Sequence, residues 1–291
     1  MKCRGECYMS ILIGLTGWGD HPAMYEHQTN RTDKLYTYSS HFPVVEVDTS
    51  FYAIPSPMQF QKWMNKTPDG FSFVIKAYQG ITGQDKKTYT NAEMREMIRQ
   101  LVDAVQPVQQ AGKLNCILLQ FPPWFKPTKY SINKLRKIKM WLGSVPAAIE
   151  FRNRQWYEPY KEETLDFLKE EHWIHVVCDE PQAGEGSVPI VNQPTHEHVL
   201  VRFHGRNIYG WNNNGQENWR KVRFLYLYNE KELEEWKHRI LELQQQAKTI
   251  TVLFNNNSGG DAHDNAKQLM EMLEIQYDFL HPKQIDLFDL F

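Results

Sequence analysis

The stretch VVEVDTS, residues 44–50, holds the pattern that decides the fold, because a short apolar run ends there in charged and polar side chains. Seven further runs, short and rich in Val, Ile and Phe, repeat this pattern along the chain. Such runs are typical of parallel strands that are buried on both faces. In chain order they are ILIGLTGW (11–18), FSFVIKA (71–77), CILLQFPP (116–123), AAIEFRN (147–153), IHVVCDE (174–180), VLVRFHG (199–205) and ITVLFNNN (250–257).

Helical patterns separate most of these runs. Capping residues, glycine stops and apolar positions at helical spacing mark their ends. The sixth connection, PQAGEGSVPIVNQPTHEH (181–198), has no such pattern, so this unit is predicted to be degenerate. One predicted helix begins at Ser56-Pro57, a second runs from about Asn91 to Gly112, and a third runs from Ser131 to Leu142. A fourth begins at Asn229, and a fifth follows Gly260.

Eight strands that alternate with helices predict a parallel α/β architecture, and eight strands close a (β/α)₈ TIM barrel. We expect a single barrel domain over residues 11–280, with an N-terminal extension (1–10) and a short C-terminal tail (281–291). An open doubly wound sheet is the alternative. No Gly-x-Gly-x-x-Gly motif follows the first strand, which argues against a dinucleotide-binding domain.

The composition is that of an ordinary globular protein, with 41% hydrophobic and 23% charged residues and a formal net charge of −2. A broad cationic surface is therefore not expected, and we interpret basic strips such as KLRKIK (134–139) as solvated helix faces. We expect no strong direct binding of nucleic acid. We also expect no membrane association, because no apolar run approaches the length that spans a bilayer.

The N-terminus and the cysteines indicate a cytoplasmic protein. The first apolar segment is too short and too interrupted by glycine to be a signal peptide. Cys116 and Cys178 lie in apolar runs and are predicted to be core residues, not parts of a disulfide framework. Cys3 and Cys7 precede Met9, and we expect translation to begin at Met9, with residues 1–8 not native.

Charged side chains end several of the predicted strands. In a TIM barrel, the carboxyl ends of the strands and the loops after them form the active face, here called the barrel mouth. Because side chains alternate along a strand, residues two apart point the same way, as Glu46 and Asp48 do. We therefore predict a catalytic set at the mouth, consisting of Glu46, Asp48, Lys76, Glu150, Arg152, Asp179, Arg202 and His204.

This set supports two interpretations. It is either a structural ring of mutually satisfied ion pairs or a site with shifted pKa values that serves acid–base chemistry. We favour the second, because so many charges at one end are costly for architecture alone. A divalent metal held by Glu46, Glu150, Asp179 and His204 is not favoured, since the nearby cations compete for the same carboxylates, and no cofactor is expected.

The loops after the strands supply candidate ligand-binding residues. Trp18, Tyr52, Trp156, Tyr209 and Trp211 are aromatic side chains that either stack on sugar or base rings or pack within the loops. Gln120 and Asn255 end strands and point towards the same mouth. Gly259-Gly260 leads directly into a helix, and a helix N-terminus after the eighth strand is a common phosphate site in TIM barrels.

Seven motifs in order resemble the YecE-like family, which is the domain-of-unknown-function family numbered seventy-two, and most of all its YunF-like Gram-positive branch. The motifs are IGLTGWGDH, VEVDTSFYAIPS, WMNKTPDGFSFVIKAYQGIT, LLQFPPWF, AIEFRNRQW, VRFHGR and FNNNSGGDAHDNA, and the likeness spans about residues 11–273. The resemblance implies a bacterial TIM-barrel protein without an established reaction. It adds Thr16 and Asn256, which match motif positions, to the candidate ligand-binding residues. Leu15 and the tract Gly19-Asp20-His21 depart from the family's usual pattern.

The chain ends in KQIDLFDLF (283–291), which contains a peptide motif of its own. Residues 284–288 resemble the pentapeptide by which many bacterial proteins bind the DNA polymerase sliding clamp. In this interpretation Leu287 and Phe288 fill an apolar pocket while Gln284 forms a hydrogen bond at its rim. The alternative is that the tail folds back onto the barrel.

Three functions follow from these patterns. The first is an enzyme, a hydrolase, a nuclease-like enzyme or an isomerase, that acts on a small phosphorylated or sugar-like ligand at the mouth by acid–base chemistry. The second is an accessory protein of DNA replication or repair that is tethered to the sliding clamp. The third is a barrel that binds a ligand without catalysis.

Overall fold

The computed structural model describes residues 10–25, 33–211 and 219–282. Eight parallel strands form a closed barrel in chain order, and β1 pairs with β8 to close it, so the predicted TIM barrel is confirmed. The open-sheet alternative is excluded by this closure. The strands are β1 (Ser10–Thr16), β2 (Val44–Val47), β3 (Ser72–Lys76), β4 (Leu114–Phe121), β5 (Ala147–Phe151), β6 (Ile174–Asp179), β7 (His198–Phe203) and β8 (Thr249–Phe254).

Helices lie between most of these strands, and none in the described residues is long and apolar enough to cross a membrane. The connection between β6 and β7 has no helix, as the sequence predicts. The helices are α1 (Lys34–Tyr38), α2 (Pro57–Met64), α3 (Gln79–Thr82), α4 (Asn91–Gln110), α5 (Lys129–Leu142), α6 (Lys161–Glu170), α7 (Ile208–Trp211), α8 (Trp219–Arg223), α9 (Glu230–Gln244) and α10 (Ala262–Met272).

Local capping explains where the main helices begin. Thr90 and Asn229 each form a reciprocal capping box with the glutamate three residues later, which satisfies two free backbone N–H groups at each helix start. α5 begins two residues before the predicted Ser131, because the hydroxyl of Thr128 caps this helix by accepting from the backbone of Ser131.

The core lies between the barrel and its helices. Outward strand residues pack there, as Phe151 does in a parallel stack with Trp156 at 3.9 Å between ring centroids. Inward residues fill the barrel itself. A Cβ at Gly14 would lie 2.0 Å from the carbonyl oxygen of Val44, so β1 and β2 reach their spacing only with glycine at this position.

The chain after α10 crosses the end of the barrel opposite the mouth. The hydroxyl of Tyr277 donates to the carbonyl of Ile11 and accepts from the backbone N–H of Ile13, both at 3.0 Å near the start of β1. His281 then donates its backbone N–H to Ser39, which precedes β2. Residue 282, the last that the structure describes, therefore lies near the end of the barrel away from the mouth.

Candidate functional site

Arg202 lies at the centre of the barrel mouth. Its guanidinium binds Glu46 through two hydrogen bonds, Nε to Oε2 at 2.9 Å and Nη2 to Oε1 at 2.6 Å. Its Nη1 donates to Glu150 Oε2 at 2.5 Å. All three side chains are fully buried, so the fold places two carboxylates on one guanidinium without water between them.

Arg152 extends this arrangement towards β6. Its Nε lies 2.5 Å from the second oxygen of Glu150, and its Nη1 pairs with Glu180. The result is a chain of alternating charges, here called the ionic network, that runs Glu46–Arg202–Glu150–Arg152–Glu180. Each buried charge has a partner of opposite sign, which is the condition for burying it at all.

Solvent reaches the ionic network from the side of β2 and β3. Lys76 Nζ lies 3.0 Å from Asp48 and 3.9 Å from Glu46, and these Lys76 and Asp48 side chains are 15% and 36% exposed. Gln120 donates from its amide to Glu150 at 2.7 Å and is also partly exposed. A ligand that enters the mouth from this side meets Lys76 and Gln120 before it meets the buried charges.

His204 adds an uncharged, titratable group to the network. Its Nε2 lies 3.0 Å from Arg152 Nη2 and 3.3 Å from Glu150 Oε1, while its Nδ1 lies 2.9 Å from the side-chain amide of Asn255. Burial, followed by the charge of Arg152, lowers the pKa of His204 well below its usual range. The imidazole is therefore neutral at neutral pH.

The glutamates of the network differ in their protonation. Burial raises the pKa of Glu46 to about 7, against the attraction of Arg202. Burial likewise raises the pKa of Glu180 to about 7, against the attraction of Arg152. Burial acts in the same direction on Glu150, but Arg152 and Arg202 together hold the pKa of that carboxyl well below its usual range. Two carboxyls that titrate near neutral pH thus flank one that stays ionised.

Asp179 does not belong to the mouth, and the prediction that placed it there is wrong. Cys178 pairs in register with the inward Arg202, so Asp179 pairs with the outward Phe203. Its carboxylate accepts from Trp236 Nε1 at 2.7 Å and from Arg206 Nε at 3.0 Å, on the side of α9.

The sequence interpretation missed Glu180 for the same reason. The run IHVVCDE ends in two acids, and only the register with β7 decides which of them points inward. The sequence pattern makes Asp179 the last position of the strand, whereas the inward side chains are those of Cys178 and Glu180.

The candidate ligand-binding residues divide into those that face the mouth and those that do not. Thr16 pairs in register with Glu46, and its buried hydroxyl has no hydrogen-bond partner among the described residues. Asn255 faces His204. Asn256 points outward instead and donates to the carbonyl of Tyr226 and the side chain of Asn265.

The aromatic candidates differ in the same way. Trp156 is 1% exposed and donates its ring N–H to the carbonyl of Phe125, so it is a core residue and not a stacking platform. Trp18 packs edge-on against Trp63 at 5.4 Å between centroids. Tyr52, on the loop after β2, is 64% exposed and Tyr209, after β7, is 90% exposed, so the fold leaves these two aromatic candidates available to a ligand.

The glycines after β8 form a poor phosphate site. Gly260 has a left-handed backbone, with φ of +86°, and α10 begins two residues later. Asp261 and Asp264 place carboxylates at this helix start, and negative charge there repels a phosphate.

Three potential metal donors, Glu150, Cys178 and His204, come within 4.8 Å of one another. Their chemistry does not suit a metal ion. Both oxygens of Glu150 are bound by arginines, and burial raises the pKa of the Cys178 thiol well above its usual range, whereas a metal binds the thiolate. The carboxylate set predicted from the sequence is not assembled, because Asp179 points away.

Residues of α7 and of the chain just after α8 lie beside His204. Trp211 is buried, with its ring centroid 6.3 Å from that of His204 and 5.1 Å from the Arg152 guanidinium. Arg223 also stacks on Trp211, with 4.3 Å from its guanidinium carbon to the ring centroid, and burial, together with the charge of Arg152, lowers its pKa to about 10. Gln284, Leu287 and Phe288, the predicted partner-binding residues, lie outside the described residues.

Comparison with known proteins places these features in a wider group. Residues 12–286 match the model of the family described as "Protein of unknown function DUF72". The chain is 52% identical to the UPF0759 protein YunF of Bacillus subtilis over 281 residues, which cover 96% of this chain and all of that protein.

Solved structures of the same kind are also similar. A DUF72 family protein from Enterococcus faecalis V583 has a TM-score of 0.87 and 40% identity, and the match covers 95% of this chain and 100% of that one. A DUF72 family protein from Thermotoga maritima MSB8 has a TM-score of 0.78 and 29% identity, with 91% and 99% covered.

Proposed function

The chain belongs to the DUF72 family, and on that premise we propose that it is an enzyme that acts by acid–base chemistry at its barrel mouth. Its ligand is small and polar, and either phosphorylated or sugar-like. Hydrolysis, nuclease-like cleavage and isomerisation are the reaction classes that such a site serves.

One arrangement carries this proposal. The fully buried carboxyl of Glu46 binds Arg202 at 2.6 and 2.9 Å and lies 3.9 Å from the partly exposed Lys76, which joins it to the solvent side of the mouth. A general acid or base works best when its pKa lies near the operating pH. Burial raises the pKa of Glu46 to about 7, while the neighbouring Glu150 stays ionised. A purely structural ring needs no carboxyl that changes its charge at this pH.

The other residues take supporting roles. Lys76 is the partly exposed cation and is suited to hold an anionic group of the ligand. Glu150 positions the guanidiniums of Arg152 and Arg202, which stabilise negative charge that develops during the reaction. Neutral His204 relays protons, and the buried hydroxyl of Thr16 has no hydrogen-bond partner among the described residues.

The test begins with a thermal-shift screen of sugar phosphates and their unphosphorylated parents. A ligand of the mouth raises the unfolding midpoint of the wild type, and Lys76→Met weakens its binding if the ligand is anionic. Glu46→Gln should keep affinity within a few-fold but reduce turnover by about 10²–10⁴-fold, with loss of the pH inflection near 7.

Asp179→Asn is the matched control, because it neutralises a buried carboxyl on the other face of the barrel wall. It should leave turnover unchanged below its unfolding temperature. Full turnover by Glu46→Gln would remove the assigned base. Wild-type binding with no conversion of any ligand would favour the non-catalytic barrel.

Clamp attachment is a second proposal, and the match of residues 284–288 to the clamp-binding pentapeptide supports it. The chain reaches residue 282 at the barrel end opposite the mouth, so a partner bound there need not obstruct the ligand. A peptide of residues 280–291 should bind purified clamp, and Phe288→Ala should abolish this. Equal binding by the substituted peptide, or none by either, would refute it.

A further inference from the structure

A groove lined by lysines and aromatic rings lies beside the mouth, between the loops that follow β3 and β4. Its volume is about 610 Å³. The hydrogen bond from the Gln84 side chain to the backbone of Gln120, at 2.7 Å, joins its wall to the mouth. We call it the lysine groove, and the residues used below are Lys86, Lys87, Trp124, Lys126, Tyr130 and Lys134.

No acidic side chain in the lining of the lysine groove neutralises the positive charge of its lysines. None of the residues that line it is acidic. No carboxylate among the described residues lies within 4 Å of the Nζ atoms of its lysines. Asp85 is the nearby acid, and its carboxylate accepts from the Tyr89 hydroxyl at 2.5 Å and from the backbone of Lys87.

The positive charge of Lys134 is energetically unfavourable in its position. It is partly buried against the face of Phe125, with 5.9 Å from Nζ to the ring centroid. Burial lowers its pKa, and Asp85 only partly offsets this. An anion in the lysine groove would supply the missing partner.

The rings distinguish one kind of anion from others. Trp124 and Tyr130 are 53% and 75% exposed, although large aromatic side chains are usually buried. Lys86 Nζ lies 5.5 Å from the centre of the Trp124 ring, so charge and ring are adjacent. A simple polyanion uses the lysines alone, whereas a base can also stack on the rings.

We propose that the lysine groove binds single-stranded nucleic acid, with its lysines on the phosphates and its exposed rings against the bases. Duplexes fit less well, because their bases already stack on one another. The binding is independent of the chemistry proposed for the mouth.

The whole-chain charge does not oppose this local binding. A formal charge of −2 is an average, and the lysine groove is locally cationic. Four phosphate contacts to a single strand give a salt slope of about −3, so affinity falls about 50-fold between 50 and 200 mM salt. Affinity therefore falls steeply towards physiological salt, in keeping with the expectation of no strong nucleic-acid binding.

Fluorescence anisotropy with the full chain and labelled ten-nucleotide single strands tests the proposal at these two salt concentrations. Lys86→Gln/Lys126→Gln should halve the salt slope. Trp124→Ala should weaken binding by about 5-fold or more and leave the slope unchanged. Lys169→Gln/Lys231→Gln removes the same charge from exposed positions on α6 and α9, and it should change neither quantity.

Two outcomes would overturn the proposal. One is the absence of binding to any single strand at 50 mM salt. The other is binding that is insensitive to Trp124→Ala and competed equally by inorganic polyphosphate of matched charge, which would show that only anionic charge is recognised. The thermal midpoint of each variant confirms that it is folded, so lost binding is not lost structure.

Discussion

The ionic network and the lysine groove lie at the same end of the barrel but treat charge in opposite ways. In the network, Arg202 and its two glutamates are fully buried and bound to one another at 2.5–2.9 Å. In the lysine groove, most of the lysines are exposed and the lining has no acid. The ionic network thus holds charges that are paired within the fold, and the neighbouring lysine groove holds charges that a ligand can pair with.

The difference shows how a structural role and a binding role can be separated. Removing one member of a buried pair leaves the other charge without water or a partner, and the folded state loses stability. Removing an exposed lysine that has no ion pair changes little in the fold. Mutations should therefore affect stability in the network and binding in the lysine groove.

The largest effect should come from Arg202→Met. It leaves Glu46 and Glu150 buried without their shared guanidinium, and unfolding by urea should show a loss of about 3–5 kcal/mol. Arg99→Met is the control, because Arg99 forms exposed pairs on α4, and its removal should leave the transition unchanged.

A second substitution sharpens this result. Glu46→Gln in the Arg202→Met background removes one of the two stranded carboxylates, so the double variant should be more stable than the single one. A double variant that is less stable than Arg202→Met would show that the buried charges do not govern stability here.

The pH dependence of stability should reveal Glu180 next. Its folded pKa of about 7 lies above the ordinary 4.5, so the folded state binds more protons between these values and stability falls as pH rises. The slope is at most about 1.4 kcal/mol per pH unit, or on the order of 3 kcal/mol over the window. Glu180→Gln should remove this component.

Histidines act in the opposite sense over part of the same range. Burial lowers the pKa of His175 and of His198 to about 4, so they contribute stability that rises with pH between about 4 and 6.5. The wild type and Glu180→Gln share both histidines. The unfolding free energy of each is measured with urea at a series of pH values, and the difference between the two proteins isolates the contribution of Glu180. If the two plots of unfolding free energy against pH stay parallel from pH 4.5 to 7.5, the raised pKa of Glu180 is contradicted.

The smallest effect should come from Lys86→Gly in the lysine groove. Lys86 has a left-handed backbone, with φ of 59°, which costs a non-glycine residue about 1 kcal/mol. Glycine relieves this strain, so unfolding free energy should hold or rise by up to about 1 kcal/mol while single-strand binding weakens. A gain in unfolding free energy together with a loss of single-strand affinity would show that Lys86, unlike the charges of the ionic network, serves binding and not stability.

Lys87→Gly is its control. Lys87 is not among the described residues with positive φ, so glycine there should destabilise by about 0.4–1 kcal/mol, because it gives the unfolded chain more conformational freedom. If both glycine variants lower stability equally, the strain assigned to Lys86 is absent.

The sequence predicted the parts of the site that depend on alternation within one strand. Glu150 with Arg152, and Arg202 with His204, share a face because they are two residues apart, and the fold places both pairs inward. The same holds for the capped starts of α2, α4 and α9, where local hydrogen bonds decide the first turn. Such features depend on neighbours in the chain, so the sequence carries them.

Register between strands decided what the sequence left open. Asp179 and Glu180 are adjacent acids, and the pairing of Cys178 with Arg202 turned the first outward and the second inward. Asn256 and Trp156 likewise went to the outer layer because of the partners they found there. A shift of one residue reverses every side chain of a strand, and no local pattern in IHVVCDE sets it.

By itself the sequence determined that eight buried strands alternate with helices to form a barrel, and that acidic and basic side chains end those strands. It could do so because apolar periodicity and helix capping act over a few residues. Only the tertiary structure decided that Arg202 would bind Glu46 across 156 positions of the chain, and that lysines from two loops would line one groove. Charge interactions act through space, so their partners are fixed by the folded arrangement and not by order along the chain.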